Sequence, residues 1–320
     1  MVKKVLILDG DSIAFRCSAV GEQRSVIVTH LPTGIQKSFK HKTAFKAHME
    51  QRNKEVTADY SLTDHQEPEP VEFVLNTIKN HIKRVVDEVS PDEVKIFTGE
   101  VDNFRLNLAL PSKYKGQRTG IRPVHLKAAK DYIAKKYNAP SAVGYEVDDL
   151  CSIVAYEAIH EGKQPLMYFY EKDQYQLDGV TLVHDGDVFT SEVVPELGEI
   201  RFEGTAVKGL GLKFLAYQWV CSDPVDNYCA YELSNVRFGP KSAYNLLKDC
   251  KTEREVLVAV KNQFQKFYPE VIEYTAWDGI KYEADWLSML RMYYKACRMM
   301  RSRDDRLEPL DLFNKYGVKL

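Results

Sequence analysis

Three short apolar runs constrain this chain most. Val5-Leu6-Ile7-Leu8, Val94-Lys95-Ile96-Phe97 and Leu166-Met167-Tyr168-Phe169-Tyr170 each read as a buried strand. Each runs within a few residues into acids. Asp9-Gly10-Asp11 follows the first, Thr98-Gly99-Glu100-Val101-Asp102 the second and Glu171-Lys172-Asp173 the third. A fourth strand is predicted at Thr181-Leu182-Val183-His184. Helical periodicity lies between them. Residues 71–89 place apolar side chains at 71, 74, 75, 78, 82, 85, 86 and 89, and Pro91 stops the pattern. Further helices are predicted at about 123–136 and 146–160, the latter with apolar residues at 147, 150, 151, 154, 155 and 158. Strands alternating with helices predict an α/β fold with a mostly parallel central sheet flanked by helices. Ligands of such sheets bind outside the carboxyl ends of the strands. Three strands delivering carboxylates to that edge are the first functional signal.

The rest of the chain reads differently. Residues 26–29 and 35–39, around Pro32-Thr33-Gly34, suggest a small β-hairpin. Residues 40–70 are polar and end in Glu67-Pro68-Glu69-Pro70, which predicts some helix followed by a loop. After about residue 205 strand signals fade, and helices are predicted at 210–221, 241–248, 253–267 and 285–300. The expected organisation is an α/β domain over 1–205 and a helical subdomain over 206–320.

Composition narrows the class. The chain has 320 residues, with 44 basic and 46 acidic side chains and a net charge of −2, so no global charge draws it to nucleic acid. Segregated charge can still build a local basic surface. No apolar run reaches membrane-spanning length, and the opening Met1-Val2-Lys3-Lys4 leads into a strand, not a signal peptide. A membrane partner is therefore not expected. The six cysteines, at 17, 151, 221, 229, 250 and 297, form no C-x-x-C pair. They read as reduced thiols of a cytoplasmic protein, without zinc spacing.

The acids come in groups: Asp9 and Asp11; Glu100 and Asp102; Glu146, Asp148 and Asp149; Glu171 and Asp173; Asp223 and Asp226. Hard divalent cations such as Mg²⁺ or Mn²⁺ take oxygen ligands, and two such ions need several carboxylates to offset their charge. Together they can activate water and stabilise a leaving oxygen in phosphodiester cleavage. Acids after strands also cap helices without any further role. Glu146 and Asp149, three apart, share one helix face, while Asp148 points elsewhere on the same turn. Beyond the second group lies Tyr114-Lys115-Gly116-Gln117-Arg118. Its Lys115 and Arg118 suit a scissile phosphate. Arg122, Lys127, Lys130, Lys135 and Lys136 follow, with Tyr114, Tyr132 and Tyr137 interleaved, a pattern for backbone contacts and base stacking. A solvated lysine-rich helix face would look the same. Phe238-Gly239-Pro240-Lys241-Ser242-Ala243 puts a bare backbone and free N–H groups before a helix, a second place for phosphate.

These segments, in order, resemble the 5′-nuclease superfamily of flap endonucleases and phage 5′→3′ exonucleases, which has a PIN-like fold. Leu8-Asp9-Gly10 and Phe97-Thr98-Gly99-Glu100 resemble its first two acidic strand ends. Tyr114 to Arg118 resembles its Y-K-x-x-R, and Glu146-Val147-Asp148-Asp149 its E-x-D-D. Glu171-Lys172-Asp173 is similar to D-x-D, and Cys221-Ser222-Asp223-Pro224-Val225-Asp226-Asn227 to G-D-x-x-D-N. Phe238 to Ala243 looks like the turn of its helix–three-turn–helix. Ser222 stands where the family has Gly, Glu171 where it has Asp, and Asn235 and Phe238 where it has Ile or Gly.

The resemblance implies a two-metal 5′-nuclease, using Mg²⁺ with Mn²⁺ as a substitute, that hydrolyses DNA at or near 5′ ends. Asp9, Glu100, Glu146 and Asp148 would hold one ion; Asp149, Glu171, Asp173, Asp223 and Asp226 would serve the second. Asp102 is the alternative to Glu100. Tyr114, Lys115, Arg118, Arg122, Gly239, Lys241 and Ser242 would meet DNA, and a segment at about 105–145 would admit the 5′ strand. The implied partner is duplex DNA with a 5′ end or flap, or an RNA–DNA hybrid. The implied setting is phage replication or recombination in the host cytoplasm, by a monomer working with replication proteins. Three rivals stand beside this. Asp9-Gly10-Asp11-Ser12 also resembles the D-x-D of haloacid-dehalogenase-type phosphatases, which would make Asp9 a nucleophile. A PIN-domain RNase and a non-catalytic DNA-binding module on the same scaffold are the others.

Overall fold

The structure, a computed structural model, describes residues 2–168 and 171–320. In chain order it begins β1 (Lys4–Asp9), α1 (Gly10–Val20), β2 (Glu22–His30), β3 (Ile35–Phe39), α2 (Lys42–Glu50), β4 (Tyr60–Pro68) and α3 (Val71–Val89). It continues through β5 (Glu93–Asn103), α4 (Leu126–Lys136), β6 (Ser141–Gly144), α5 (Val147–His160), β7 (Gln164–Tyr168), β8 (Thr181–Asp185) and β9 (Phe189–Val193). Next come β10 (Ile200–Glu203), β11 (Ala206–Gly209), α6 (Gly211–Val220), β12 (Ser222–Asp223), β13 (Tyr228–Cys229) and α7 (Pro240–Leu247). The last elements are α8 (Glu253–Phe267), β14 (Ile272–Thr275), β15 (Lys281–Ala284), α9 (Trp286–Cys297) and α10 (Pro309–Lys315). Single 3₁₀ turns occupy Phe104–Asn107 and Lys172–Gln176.

The chain divides into two compact units. The first comprises Met1–Asp9, Val86–Thr119 and Ala139–Leu320, so the central sheet and the helices after residue 205 share one unit. Its six-stranded sheet runs β6-β5-β1-β7-β8-β9 and is parallel except for β9 against β8. β1 is apolar from Val5 to Leu8 because it sits in the middle with both faces covered, as central parallel strands require. α5 packs on this sheet, with Leu150, Cys151, Val154 and Ala155 against Val5, Ile7, Phe97 and Met167. Its other side is closed as well, since Ile153 meets Met300 and Leu307. The α/β, mostly parallel class predicted from the strand–helix alternation is the class observed.

A second core lies under α6, α8 and α9. Trp219 is fully buried there, donates its indole N–H to the Leu290 carbonyl at 2.8 Å and lies tilted against Tyr294 with ring centroids 4.5 Å apart. Two glycines let the chain close over this core. Gly198 has φ +68°, and a Cβ on it would lie 1.8 Å from the Leu210 carbonyl oxygen. Gly211 has φ +67°, and its Cβ would lie 2.2 Å from the Pro195 oxygen.

The second unit comprises Gly10–Val85 and Gly120–Asn138. Its antiparallel sheet, ordered β3-β2-β4, buries Val26 and Val28 against Phe45 and Met49 of α2. The buried Glu22 carboxylate ties it together, accepting from Arg24 at 2.5 Å, Gln66 at 3.0 Å and the Val124 N–H at 2.8 Å.

Several expectations need correction. β4 occupies part of the predicted loop within 40–70. α1 and the hairpins β10–β11, β12–β13 and β14–β15 were not expected. The second acidic strand does not stop before its acids, because β5 runs on through Glu100 to Asn103. The last two residues of the predicted third strand, Phe169 and Tyr170, lie outside the described residues, as does Met1.

Gly198→Ala must both enter a backbone region that L side chains avoid and displace a carbonyl. It is expected to lower unfolding free energy by more than about 2 kcal/mol. Chemical denaturation of the purified variant measures this, and an unchanged midpoint would show that the loop relaxes freely.

Candidate active site

All the geometry of the candidate site lies within the first unit. Asp9 and Phe97 are register partners, as are Leu8 and Tyr168, so β1 and β7 end at one edge of the sheet, past which β5 continues. α5 starts at that edge. Its first turn presents Asp148 and Asp149, and Glu146 stands at its N-cap. The three residues part company at once.

Asp149 is fully buried and held from two sides. Arg105, itself 1% exposed, grips it with both guanidinium nitrogens, at 2.5 and 2.9 Å. The Met300 N–H donates to it at 3.0 Å, and the Glu146 N–H at 3.2 Å. Arg105 completes its own bonding to the Arg298 carbonyl at 2.7 Å and packs over the Phe104 ring. Asp149 is thus not available to face a second metal ion. It is the buried anchor of the turn. Losing one partner of such a pair leaves an uncompensated charge in the core.

Glu146 is also engaged. It accepts from Lys115 Nζ, from the Tyr114 hydroxyl at 3.2 Å and from Arg105 at 3.4 Å. Burial works against its charge, but Arg105 and Lys115 outweigh burial and hold the carboxyl below the usual range. Tyr114 is 3% exposed, so the expected role in base stacking does not fit; its phenol supports Glu146 instead. Lys115 adopts φ +54°, an uncommon conformation for lysine, and its N–H donates to the Asp226 carbonyl at 2.9 Å. That backbone turn lets its ammonium lie between Glu146 and Asp226, the latter at 3.6 Å. Arg118 reaches Asp226 at 3.2 Å with its side chain about half exposed.

A second carboxylate group closes round Lys172. Its ammonium contacts Asp173 at 2.9 Å, Asp223 more closely still, and Asp226 at 3.9 Å. Burial pushes Asp226 up to about 6, against the pull of Lys115, and also raises Asp173. Gln218 donates to Asp173 and stands 3.3 Å from Gln176, which bonds the Met299 N–H at 3.0 Å. One connected ring therefore runs from Asp149 through Arg105, Glu146, Lys115, Asp226, Lys172, Asp173, Gln218 and Gln176 to Met299 and Met300, and back.

Asp148 is not bonded into this ring, and Lys115 offsets its acidic neighbours only in part. It is 8% exposed, and its Oδ1 is buried without a hydrogen-bond partner. Burial, then Glu171, Asp9 and Glu146, raises its pKa far above the usual carboxylate range. Asp9 is buried at 2% exposure, and Glu171 is exposed. Hard oxygens with excess negative charge and an unbonded buried oxygen fit a divalent cation here. Among the described residues, no three metal-ligating side chains already stand at coordinating positions, so an ion would draw them in.

Glu100 is not brought to this group. It lies three residues beyond Phe97, the partner of Asp9, which is about 10 Å along β5. Glu100 is exposed and makes no hydrogen bond or ion pair among the described residues, and Asp102 is exposed as well. Asp11 belongs to the second unit and pairs there with Lys130 at 2.8 Å.

The remaining expected contact residues are spread. Arg122 is exposed in the second unit. Lys241 and Ser242 are exposed in the first turn of α7, with Pro240 at its start. Gly239 is extended, and a Cβ there would meet only Tyr231 Oη at 3.9 Å, so the fold itself does not demand glycine. Phe238 packs edge-on to Phe267 at 5.0 Å, which explains an aromatic at that position. A groove of about 500 Å³ over α7 and α8, lined by residues such as Arg254, Val258 and Gln263, holds none of these carboxylates.

Sequence reading missed Arg105 and Lys172. The first was detectable as a lone charge in the apolar run Phe104 to Leu110. The second lay in plain view between two acids but was read only as a spacer.

No protein-family model and no curated protein matches the chain. Solved structures do. A bacteriophage T5 flap endonuclease, in a pseudo-enzyme–product complex with DNA and metal ions, is 14% identical with a TM-score of 0.42, covering 98% of this chain and 97% of that one. A mutant of T5 5′-exonuclease is 14% identical with a TM-score of 0.41, over 83% and 86%. T5 5′-exonuclease with bound zinc is 15% identical with a TM-score of 0.39, over 83% and 88%. At these scores the likeness settles nothing about chemistry, which has to be read from this chain's own side chains.

Arg105→Met leaves Asp149 charged and unpaired in the core and is expected to cost about 3–5 kcal/mol. Arg105→Lys should recover little, because an ammonium cannot grip both oxygens from one plane. Denaturation midpoints of the two variants test this; near-native stability of Arg105→Met would remove the pair from its anchoring role.

Proposed function

We propose that this protein is a metal-dependent 5′-nuclease that hydrolyses DNA phosphodiesters at or near 5′ ends, as a 5′→3′ exonuclease or flap endonuclease. The observation that carries this reading is Asp148: a buried, unbonded carboxylate oxygen facing Asp9, Glu146 and Glu171 at the carboxyl edge of a parallel sheet. The ordered run of motifs from Leu8 to Ala243 supports the same reading.

Mg²⁺, or Mn²⁺ in its place, bound by Asp148, Asp9 and Glu171 would supply Lewis acidity for attack on phosphorus. Glu146 is the positioned neighbour, kept ionised by Arg105 and Lys115. Lys115 is held by Glu146 and Asp226 at the border of the site, where an approaching phosphate would compete for its donors. Arg118, half exposed, can turn a guanidinium face to the same phosphate. In this reading 1–205 is the catalytic part, with the segment 105–145 bordering the incoming strand. The part from 206 to 320 grips duplex DNA through the bare Gly239 backbone, Lys241 and Ser242 in a helix–three-turn–helix. Phage replication or recombination, in the host cytoplasm, is the setting that suits such an activity. A phosphatase with Asp9 as nucleophile would leave the ring through Lys115 and Asp226 without a purpose.

The test is cleavage of 5′-labelled flap, duplex and single-stranded DNA with Mg²⁺ and with a chelator. Short 5′-terminal products with Mg²⁺ and none with chelator are expected. Asp148→Asn should lower turnover by roughly a thousandfold while the protein stays folded. Full cleavage by Asp148→Asn, or hydrolysis of a small phosphate ester without DNA cleavage, would overturn the proposal.

A further inference from the structure

A two-ion nuclease needs a second divalent cation among Asp173, Asp223 and Asp226. That place is already taken by a side chain. Lys172 Nζ lies 2.9 Å from Asp173, in close contact with Asp223 and 3.9 Å from Asp226. We propose that the Lys172 ammonium is a built-in replacement for the second ion, so that this site takes up one divalent cation and not two. The inference rests on the nuclease reading and sharpens its cofactor count.

Three observations carry it. The carboxylates are fixed around the lysine and not around an empty space. Asp223 Oδ1 accepts the Val225 N–H at 2.9 Å and the Asp226 N–H at 3.3 Å, which leaves Oδ2 for Lys172. Asp173 Oδ1 takes both Lys172 and Gln218. The lysine is also anchored at its root. It opens the 3₁₀ turn Lys172–Gln176, whose Gln174 and Gln176 are buried, so its Cα cannot swing away cheaply. Lastly, the neighbouring group shows the contrast. Around Asp148 there is an unbonded buried oxygen, whereas none of the three aspartates at Lys172 has one.

A small hard divalent ion wants about six oxygens at roughly 2.1 Å. An ammonium bonded to the same aspartates excludes that shell by both volume and charge. Lysine differs from a metal in one useful respect: it is a permanent donor, so charge at this position does not depend on ion concentration.

The experiment counts bound Mn²⁺ on the full chain, by equilibrium dialysis with free Mn²⁺ read by electron paramagnetic resonance, and follows DNA cleavage in the same buffer. The wild-type chain should bind one ion. Lys172→Met should bind two, and Lys172→Gln should do the same if one variant folds poorly by circular dichroism. Lys172→Arg should stay at one, and Asp148→Asn should lose the wild-type ion. Two ions on the wild-type chain, or one on both Lys172→Met and Lys172→Gln, would overturn the lysine assignment while Mn²⁺-dependent cleavage left the nuclease reading standing. No bound ion and no cleavage would overturn both.

Discussion

The site depends on one buried ion pair. Arg105 and Asp149 are almost completely excluded from water, and neither would be tolerated there alone. Their pairing fixes three separate pieces of chain. It ties the turn after β5 to the start of α5 and, through the Arg298 carbonyl and the Met300 N–H, ties both to the segment after α9. Asp305 shapes that segment in turn, accepting from Arg298 at 2.7 Å and from the Arg301 and Leu307 N–H groups at 2.9 Å each. A residue near the end of the chain thereby sets the position of the acidic turn that opens α5.

Charge is distributed unevenly around that anchor. Most of the acids face a cation of the protein's own: Asp149 has Arg105, Glu146 has Lys115, Asp226 has Lys115 and Arg118, and Asp173 and Asp223 have Lys172. Asp148 has a bare buried oxygen, and Glu171, Asp9 and Glu146 outweigh Lys115 around it. An internal counter-ion is the cheaper solution where only structure is at stake. On the proposed reading, this deficit of positive charge at the edge of a parallel sheet is where a cation from outside would bind.

Much of this was legible in the sequence. The 3.6-residue period placed α3 over residues 71–89 because one face alone is apolar, and α8 over 253–267 for the same reason. β1 showed as an apolar run because a central parallel strand has both faces covered, and β5 showed through Ile96 and Phe97, its buried middle. β4 did not show, since most of its side chains are exposed and its apolar alternation stops after Tyr60 and Leu62, which pack on the β2 core while Gln66 bonds Glu22. The spacing of Glu146 and Asp149 had put them on one helix face, and they do share Arg105. What spacing could not say is that this face turns inward to a buried arginine while Asp148 keeps an unbonded oxygen. Glu100 was placed by its motif, but a motif does not measure how far β5 runs past Asp9.

Manganese supplies the most direct measurement of the central claim. In crystals grown with Mn²⁺, anomalous scattering should show an ion within coordinating distance of Asp148, with Arg105 still paired to Asp149. An ion seated on Asp149 in place of Arg105, or none near Asp148, would contradict the account.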